Sequence, residues 1–182
     1  MTQDSTRSGH VADVVLRDGS TMRLRPPTES DAAGVLAFFG ELSARSLVAR
    51  FHGHPTVDER LVRPVLDPDW RERGALIGEH EGRIVALASY VRLRDPRSAD
   101  VAFAVADEFQ GRGIGMRLLE QLAAAAGAGG VEEFVADVMT SNNRMLRVFS
   151  EAGFEATRSS SAGETEVRLR LAATEKLQMS AD

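Results

Sequence analysis

One stretch limits what this chain can fold into more than any other, and it runs from Ala99 to Ala128. Asp100 to Ala106 reads Asp-Val-Ala-Phe-Ala-Val-Ala, an apolar run of strand length. Gln110-Gly111-Arg112-Gly113-Ile114-Gly115 follows, and then an apolar pattern of helical period. A helix over 111–126 places Ile114, Leu118, Leu119, Leu122 and Ala126 on one inner face. A strand that passes through a glycine turn into a helix start suits an anion. Free backbone N–H groups point out of the first helical turn, and the helix dipole adds partial positive charge. Gly111, Gly113 and Gly115 let backbone approach a ligand without Cβ interference, and Arg112 adds a full charge. Glycine-rich helix starts that bind nothing are also common. Two other phosphate motifs fit poorly. A Walker loop ends in Gly-Lys-Ser/Thr, where this chain has Gly115-Met116-Arg117. A dinucleotide fingerprint sits on the first strand of its βαβ unit with an acid after the next strand. Here several strands come first, and Asp137 lies only roughly where that acid belongs.

The rest of the pattern is mixed α/β. Residues 1–10 read as disordered, 11–171 as one domain and 172–182 as a polar tail or linker. A hairpin spans 11–25 with its turn at Asp18-Gly19. Helices are expected over 33–42 (Thr28 capping, Asp31 three residues on), 43–51 and 56–66, the last capped by Thr56 with Glu59 and cut short by Pro64. Strands follow over 75–79 and 83–93 around Glu81-Gly82, then over 100–106 and 131–139. A helix over 141–152 with Leu146 and Phe149 inward ends at Gly153. Strands over 154–159 and 165–171 close the chain as an antiparallel pair.

At 182 residues, such a domain buries roughly 70% of its unfolded surface and needs no staples. The absence of cysteine excludes disulfides, thiolate nucleophiles and thiolate metal sites. A net charge of −5 gives no whole-chain signal for nucleic acid. No run approaches the ~20 apolar residues of a bilayer span. These features predict a cytoplasmic protein with no nucleic-acid partner, no membrane partner and no metal.

The second motif is Asn142-Asn143-Arg144-Met145-Leu146-Arg147-Val148-Phe149-Ser150-Glu151-Ala152-Gly153-Phe154. Alone it reads as a core helix. With Gln110–Gly115 and its lead-in Ala106-Asp107-Glu108-Phe109 about 30 residues earlier, it resembles the GNAT superfamily of N-acetyltransferases. The likeness extends from Val15 to Leu171. It is nearest the bacterial Pat-type protein-lysine acetyltransferases, through Leu16–Pro26, the Ser46–Gly53 stretch with Arg50-Phe51, and Asp100–Asp107.

The resemblance implies an α/β GNAT fold: a mixed, mostly antiparallel sheet of about seven strands, splayed in the middle and flanked by four to five helices. It implies acetyl-CoA as cosubstrate, lying in the split. Phe103, Ala104 and Val105 would line the pantetheine, Gln110, Gly111, Arg112, Gly113, Ile114, Gly115 and Met116 would seat the pyrophosphate, and Asn142 would touch the pantetheine or thiol end. The acceptor would be a lysine of a protein substrate, such as an acyl-CoA synthetase, to which Pat-type domains are also found fused. A small amine acceptor and a non-catalytic acyl-CoA sensor are the alternatives. The base would be Asp100, where Pat-type enzymes carry a longer Glu, with Asp137 as rival. Many relatives hold a tyrosine acid seven residues after the asparagine. Here that position is Phe149, which has no proton to give, while Tyr90 is expected to pack. His52 and His54 read as a polar loop bordering the acceptor groove. Arg45, Arg50, Arg92 and Arg94 read as solvated or paired, some lining that groove.

Overall fold

The computed structural model describes residues 10–171. The expected disorder of 1–10 and the tail over 172–182 therefore fall outside the described residues, save His10, whose ring stacks on Trp70 at 4.0 Å between centroids. The strands are β1 (Ala12–Val15), β2 (Thr21–Arg25), β3 (Arg73–His80), β4 (Arg83–Arg92), β5 (Ser98–Val105), β6 (Glu133–Met139), β7 (Glu155–Ser161) and β8 (Glu164–Arg170). They form one sheet in the order β1-β2-β3-β4-β5-β6-β8-β7. The helices are α1 (Ala32–Glu41), α2 (Ala44–Phe51), α3 (Glu59–Val62), α4 (Ile114–Ala128) and α5 (Asn143–Glu151).

Every neighbouring strand pair is antiparallel except β5 with β6, which the α4 crossover makes parallel. That pair is short in register for two central strands. Only Ser98, Ala99 and Asp100 meet Glu133, Phe134 and Val135. Past Asp100 the two strands part, while β4 follows β5 to Val105 and β8 follows β6 to Met139. The sheet is therefore split in its middle, and one edge of Val101–Val105 faces the gap without a strand partner.

The core follows from patterning. Ile84–Ala88 of β4 is buried without alternation, so both faces of the sheet are covered there. Helices α1 and α2 pack on β4 and β5, and α4 packs on β3, β4 and β5. Ile114, Leu118, Leu119, Leu122 and Ala126 are all buried, as their spacing requires. Phe149 of α5 is fully buried, and Leu146 is partly buried against the same core.

Local differences have local causes. Helix α4 begins at Ile114 and not at Gly111, because Gly111 and Gly113 hold φ of +81° and +87°, outside the helical region. Asp58, not Thr56, caps α3 by accepting from Arg60 N–H, so the capping box at Thr56 and Glu59 does not form. A 3-10 turn over Arg63–Val65 then takes up Pro64. Helix α5 begins after Asn142, whose side chain accepts from Met145 N–H and caps it.

The cap at Thr28 does form, with a third partner. Asp31 accepts from Thr28 N–H at 2.8 Å and receives both Nη groups of Arg25 at 2.8 Å. The Arg25 guanidinium first, and the Thr28 N–H with it, hold the Asp31 carboxyl below its ordinary value against the cost of burial. Its stabilising contribution is therefore fully present above the unfolded value of 3.8 and is lost as pH falls through the lower folded value. Asp31→Asn is expected to cost about 1–2 kcal/mol in urea unfolding at pH 7, with the difference shrinking as pH is lowered.

Candidate active site

The gap between β5 and β6 opens into a cleft of about 300 Å³. Its walls are Arg50 to His52 of α2 and its cap, Asp100 to Phe103 of β5, Ala136 to Val138 of β6, and Asn142, Met145 and Phe149. Both candidate acids thus face one space from opposite sides of the split. Asp100 is the last β5 residue paired to β6, and Asp137 lies two residues beyond its partner Val135. Burial among the cleft walls raises the Asp100 carboxyl above its ordinary value. The charge of Asp137 raises it further, while Arg50 and His52 oppose both. An acid so placed holds its proton more readily than free aspartate, which suits a general base better than an ordinary surface carboxylate.

The glycine loop lies past the far end of β5. Gln110 is the joint that fixes it. Its Nε2 donates to Val105 O at 3.1 Å and to Ser46 Oγ at 3.3 Å, and its Oε1 accepts from Arg144 at 2.8 Å. The Val105 carbonyl on the open strand is therefore already used, and the Gln110 side chain is committed to the protein. Arg112 is committed too: it donates to Asp18 at 3.0 Å and to Glu108 O, and lies 4.6 Å over the Phe109 ring. The buried side chains of Ile114 and Ala104 belong to the core; Ile114 keeps its backbone at the helix start to offer, whereas the Ala104 backbone is turned toward Leu87 of β4. Gly111, Gly113, Gly115 and the half-buried Met116 form the open part of the loop and first helical turn.

A model of the acetyltransferase (GNAT) family matches residues 42–154. The chain belongs to that family. The acetyltransferase Pat of Mycolicibacterium smegmatis is 32% identical over 148 residues, which are 77% of this chain and 43% of that protein. The chain therefore spans less than half the length of this relative. The crystal structure of the GNAT domain of S. lividans PAT superposes with a TM-score of 0.81 at 34% identity, covering 88% of this chain and 97% of that one. YncA of Salmonella typhimurium, a putative acetyltransferase solved with acetyl-CoA, shares the fold at a TM-score of 0.70 and 21% identity, over 84% of this chain and 95% of its own. The α/β GNAT architecture with its split sheet is thus shown, and the class of chemistry is acetyl transfer.

Within this GNAT domain the structure gives site residues partners that the sequence does not show, and adds Arg17. Arg17, on the β1–β2 turn, lies over the glycine loop: its N–H donates to Arg112 O at 3.2 Å, and a Cβ on Gly113 would meet its Nε at 3.2 Å. Asp107 accepts from Ser43 N–H and from the hydroxyls of Ser43 and Ser46, tying the start of α2 to the loop. His52 Nδ1 lies 3.1 Å from Glu164 Oε1, so the α2 end and β8 touch across the cleft. Arg50 lines the cleft, as expected of some of these arginines, and among the described residues it makes no salt bridge. Its Nη2 donates to Ser89 Oγ at 2.9 Å and its buried Nε has no partner. The signal for Arg50 was its spacing: it lies three residues after Leu47 and next to Phe51, on the inward side of α2. Arg92 is likewise not free, its guanidinium donating to the carbonyls of Arg71, Pro96 and Gly129. Tyr90 packs as expected; burial pushes its hydroxyl up to about 12, and it donates to Trp70 O outside the cleft. Among the described residues no group of three or more His, Asp or Glu could hold a metal ion, and no single helix is long and apolar enough to cross a membrane.

Proposed function

We propose that this domain transfers the acetyl group of acetyl-CoA to a lysine side chain of a protein substrate, with Asp100 as general base. The observation that carries the reading is the placing of Asp100 and Asp137 on opposite walls of one cleft, beside the unpaired edge of β5 and upstream of the glycine loop. The likeness to M. smegmatis Pat and to the GNAT domain of S. lividans PAT supports a protein acceptor. An acyl-CoA synthetase is the substrate we would test first.

The residues fit acetyl-CoA as substrate. The loop over Gln110–Met116 offers backbone N–H groups and a helix start to the pyrophosphate. On the open edge of β5, Phe103 and the Val105 N–H offer main-chain groups to the pantetheine, the Val105 carbonyl being held by Gln110. Asn142 and Met145 line the cleft at its α5 wall, although the Asn142 Oδ1 is engaged as a cap and leaves only its amide nitrogen for a ligand.

An acceptor ammonium, with an ordinary pKa near 10.4, is drawn by the two carboxylates and loses a proton to Asp100, directly or through one water. The freed amine attacks the thioester carbon. Backbone N–H groups of the parted β5 face the oxygen on which charge develops. The C–S bond then breaks, and the second amine proton passes to the CoA sulfur or to solvent. Phe149 cannot supply it, being apolar and fully buried. No acyl-enzyme on a thiol is possible in a chain without cysteine.

The test is incubation with labelled acetyl-CoA and a cell lysate, read by mass spectrometry, with Asp100→Asn as control. Label on protein lysines in an Asp100-dependent manner is expected. Label only on small amines would overturn the protein acceptor, and tight CoA binding without transfer would overturn the catalytic reading.

A further inference from the structure

Arg50 is a charge that folding should not tolerate as it stands. Its guanidinium is part-buried in the cleft wall against Ser89 and the Phe51 ring, 4.9 Å from the ring centroid, with Nε buried and unsatisfied. Among the described residues no carboxylate makes a salt bridge to it. Burying a cation without a contact partner is strongly unfavourable, so a charge kept in such a place calls for a compensating field.

The register of the sheet identifies the source of that field. Ser89 pairs with Ala102 and Val91 pairs with Asp100, so Ser89 and Asp100 point from neighbouring strands to the same face of the sheet. The Ser89 hydroxyl thus pins the Arg50 head on the face that carries Asp100, and both residues line the same cleft. A carboxylate on an incoming ligand is the rival partner. The cleft already presents Asp100 and Asp137, and its net negative charge repels such a ligand while attracting an ammonium.

We propose that Arg50 is a positioning residue for acetyl transfer: pinned to Ser89, its charge holds the Asp100 carboxylate in the cleft beside Asp137. The inference rests on the reading of Asp100 as base only for its consequence in catalysis. Arg50 attracts Asp100 and Asp100 attracts Arg50, which is why desolvation lowers the arginine only to about 10. The other titratable groups facing Asp100 are Asp137 from β6 and His52 from the end of α2, the latter held by Glu164 of β8. Neither replaces Arg50. Asp137 has the wrong sign, and His52 already faces a carboxylate.

The experiment follows the Asp100 side-chain carboxyl by carbon-13 NMR during a pH titration of the folded domain without substrates. Arg50→Gln is expected to move its midpoint up by about one pH unit, and Arg50→Lys to restore most of that shift. Ser89→Ala, which frees the arginine but keeps its charge, is expected to move the midpoint in the same direction by less. An Asp100 midpoint unchanged in Arg50→Gln and in Ser89→Ala overturns the proposal; if Arg50→Gln does not fold, Ser89→Ala decides it. The acid limb of kcat/KM is then compared. A midpoint that moves while the limb stays put leaves Arg50 acting on Asp100 and removes Asp100 from the role of base. A midpoint that stays while Asp100→Asn is inactive leaves the base and removes Arg50.

Discussion

Asp100→Asn is expected to lower kcat on a protein substrate by about 10²- to 10⁴-fold, the range for loss of a general base, while the Kd for acetyl-CoA changes by less than about twofold. The separation of the two effects follows from the geometry. Asp100 stands where β5 and β6 part, whereas the groups proposed to face CoA are the later part of β5 and the loop beyond it. Asparagine keeps the side-chain volume, so the cleft should not collapse. The pH dependence gives a second check. A base must be ionised, and burial followed by the Asp137 charge raises Asp100 above 3.8, so activity is lost as pH falls through that raised value. Asp137→Asn removes a like charge. It is expected to move this acid limb to lower pH and to leave substantial turnover. If instead Asp137→Asn abolishes turnover and Asp100→Asn does not, the roles are reversed. Steady-state kinetics against pH, with calorimetry for acetyl-CoA, measures all of these.

The sequence announces the parts of this molecule whose physics is periodic. The β5–α4 unit, the inner face of α4 and the buried Phe149 follow from spacing alone, because burying an apolar stripe admits one orientation. The hairpin around Glu81-Gly82 and the pair β7–β8 follow from turn chemistry. What sequence could not give is set by contacts between distant residues. Gln110 reads as a pyrophosphate ligand, yet its side chain ties Val105, Ser46 and Arg144 together. Asn142 reads as a pantetheine contact, yet it caps α5. Arg50 reads as one of four arginines solvated, paired or lining the groove, and the register of β4 with β5 is what brings Ser89 and Asp100 to one face. A glycine or an apolar position is legible because its constraint is local. A polar side chain has several possible partners, and topology selects among them.

That distinction bears on the glycine loop, where substitution of Gly113 should have the second large effect. Gly113 holds φ of +87°, and a Cβ there meets Arg17 Nε at 3.2 Å. Asn and Asp are the residues that best tolerate this left-handed backbone. Gly113→Asn and Gly113→Asp are nearly identical in shape, and both ask the same small displacement of the Arg17 side chain. They should therefore unfold at similar denaturant concentrations. They differ only in a charge set at the start of α4, where the pyrophosphate is proposed to lie. A like charge about 5 Å from one phosphate, at an effective dielectric of about 20, costs about 3 kcal/mol before screening. With salt present we expect the aspartate variant to bind acetyl-CoA about 30-fold more weakly than the asparagine variant, and the gap to narrow as ionic strength rises. Gly115 supplies the contrast. Its φ is not positive, and a Cβ would meet Val148 at 3.5 Å, an ordinary contact. Gly115→Ala should fold and keep most of its affinity. Equal Kd values for the Gly113 asparagine and aspartate variants would mean that no anion sits at this helix start, and the seat of the CoA phosphates would have to be sought elsewhere on the domain.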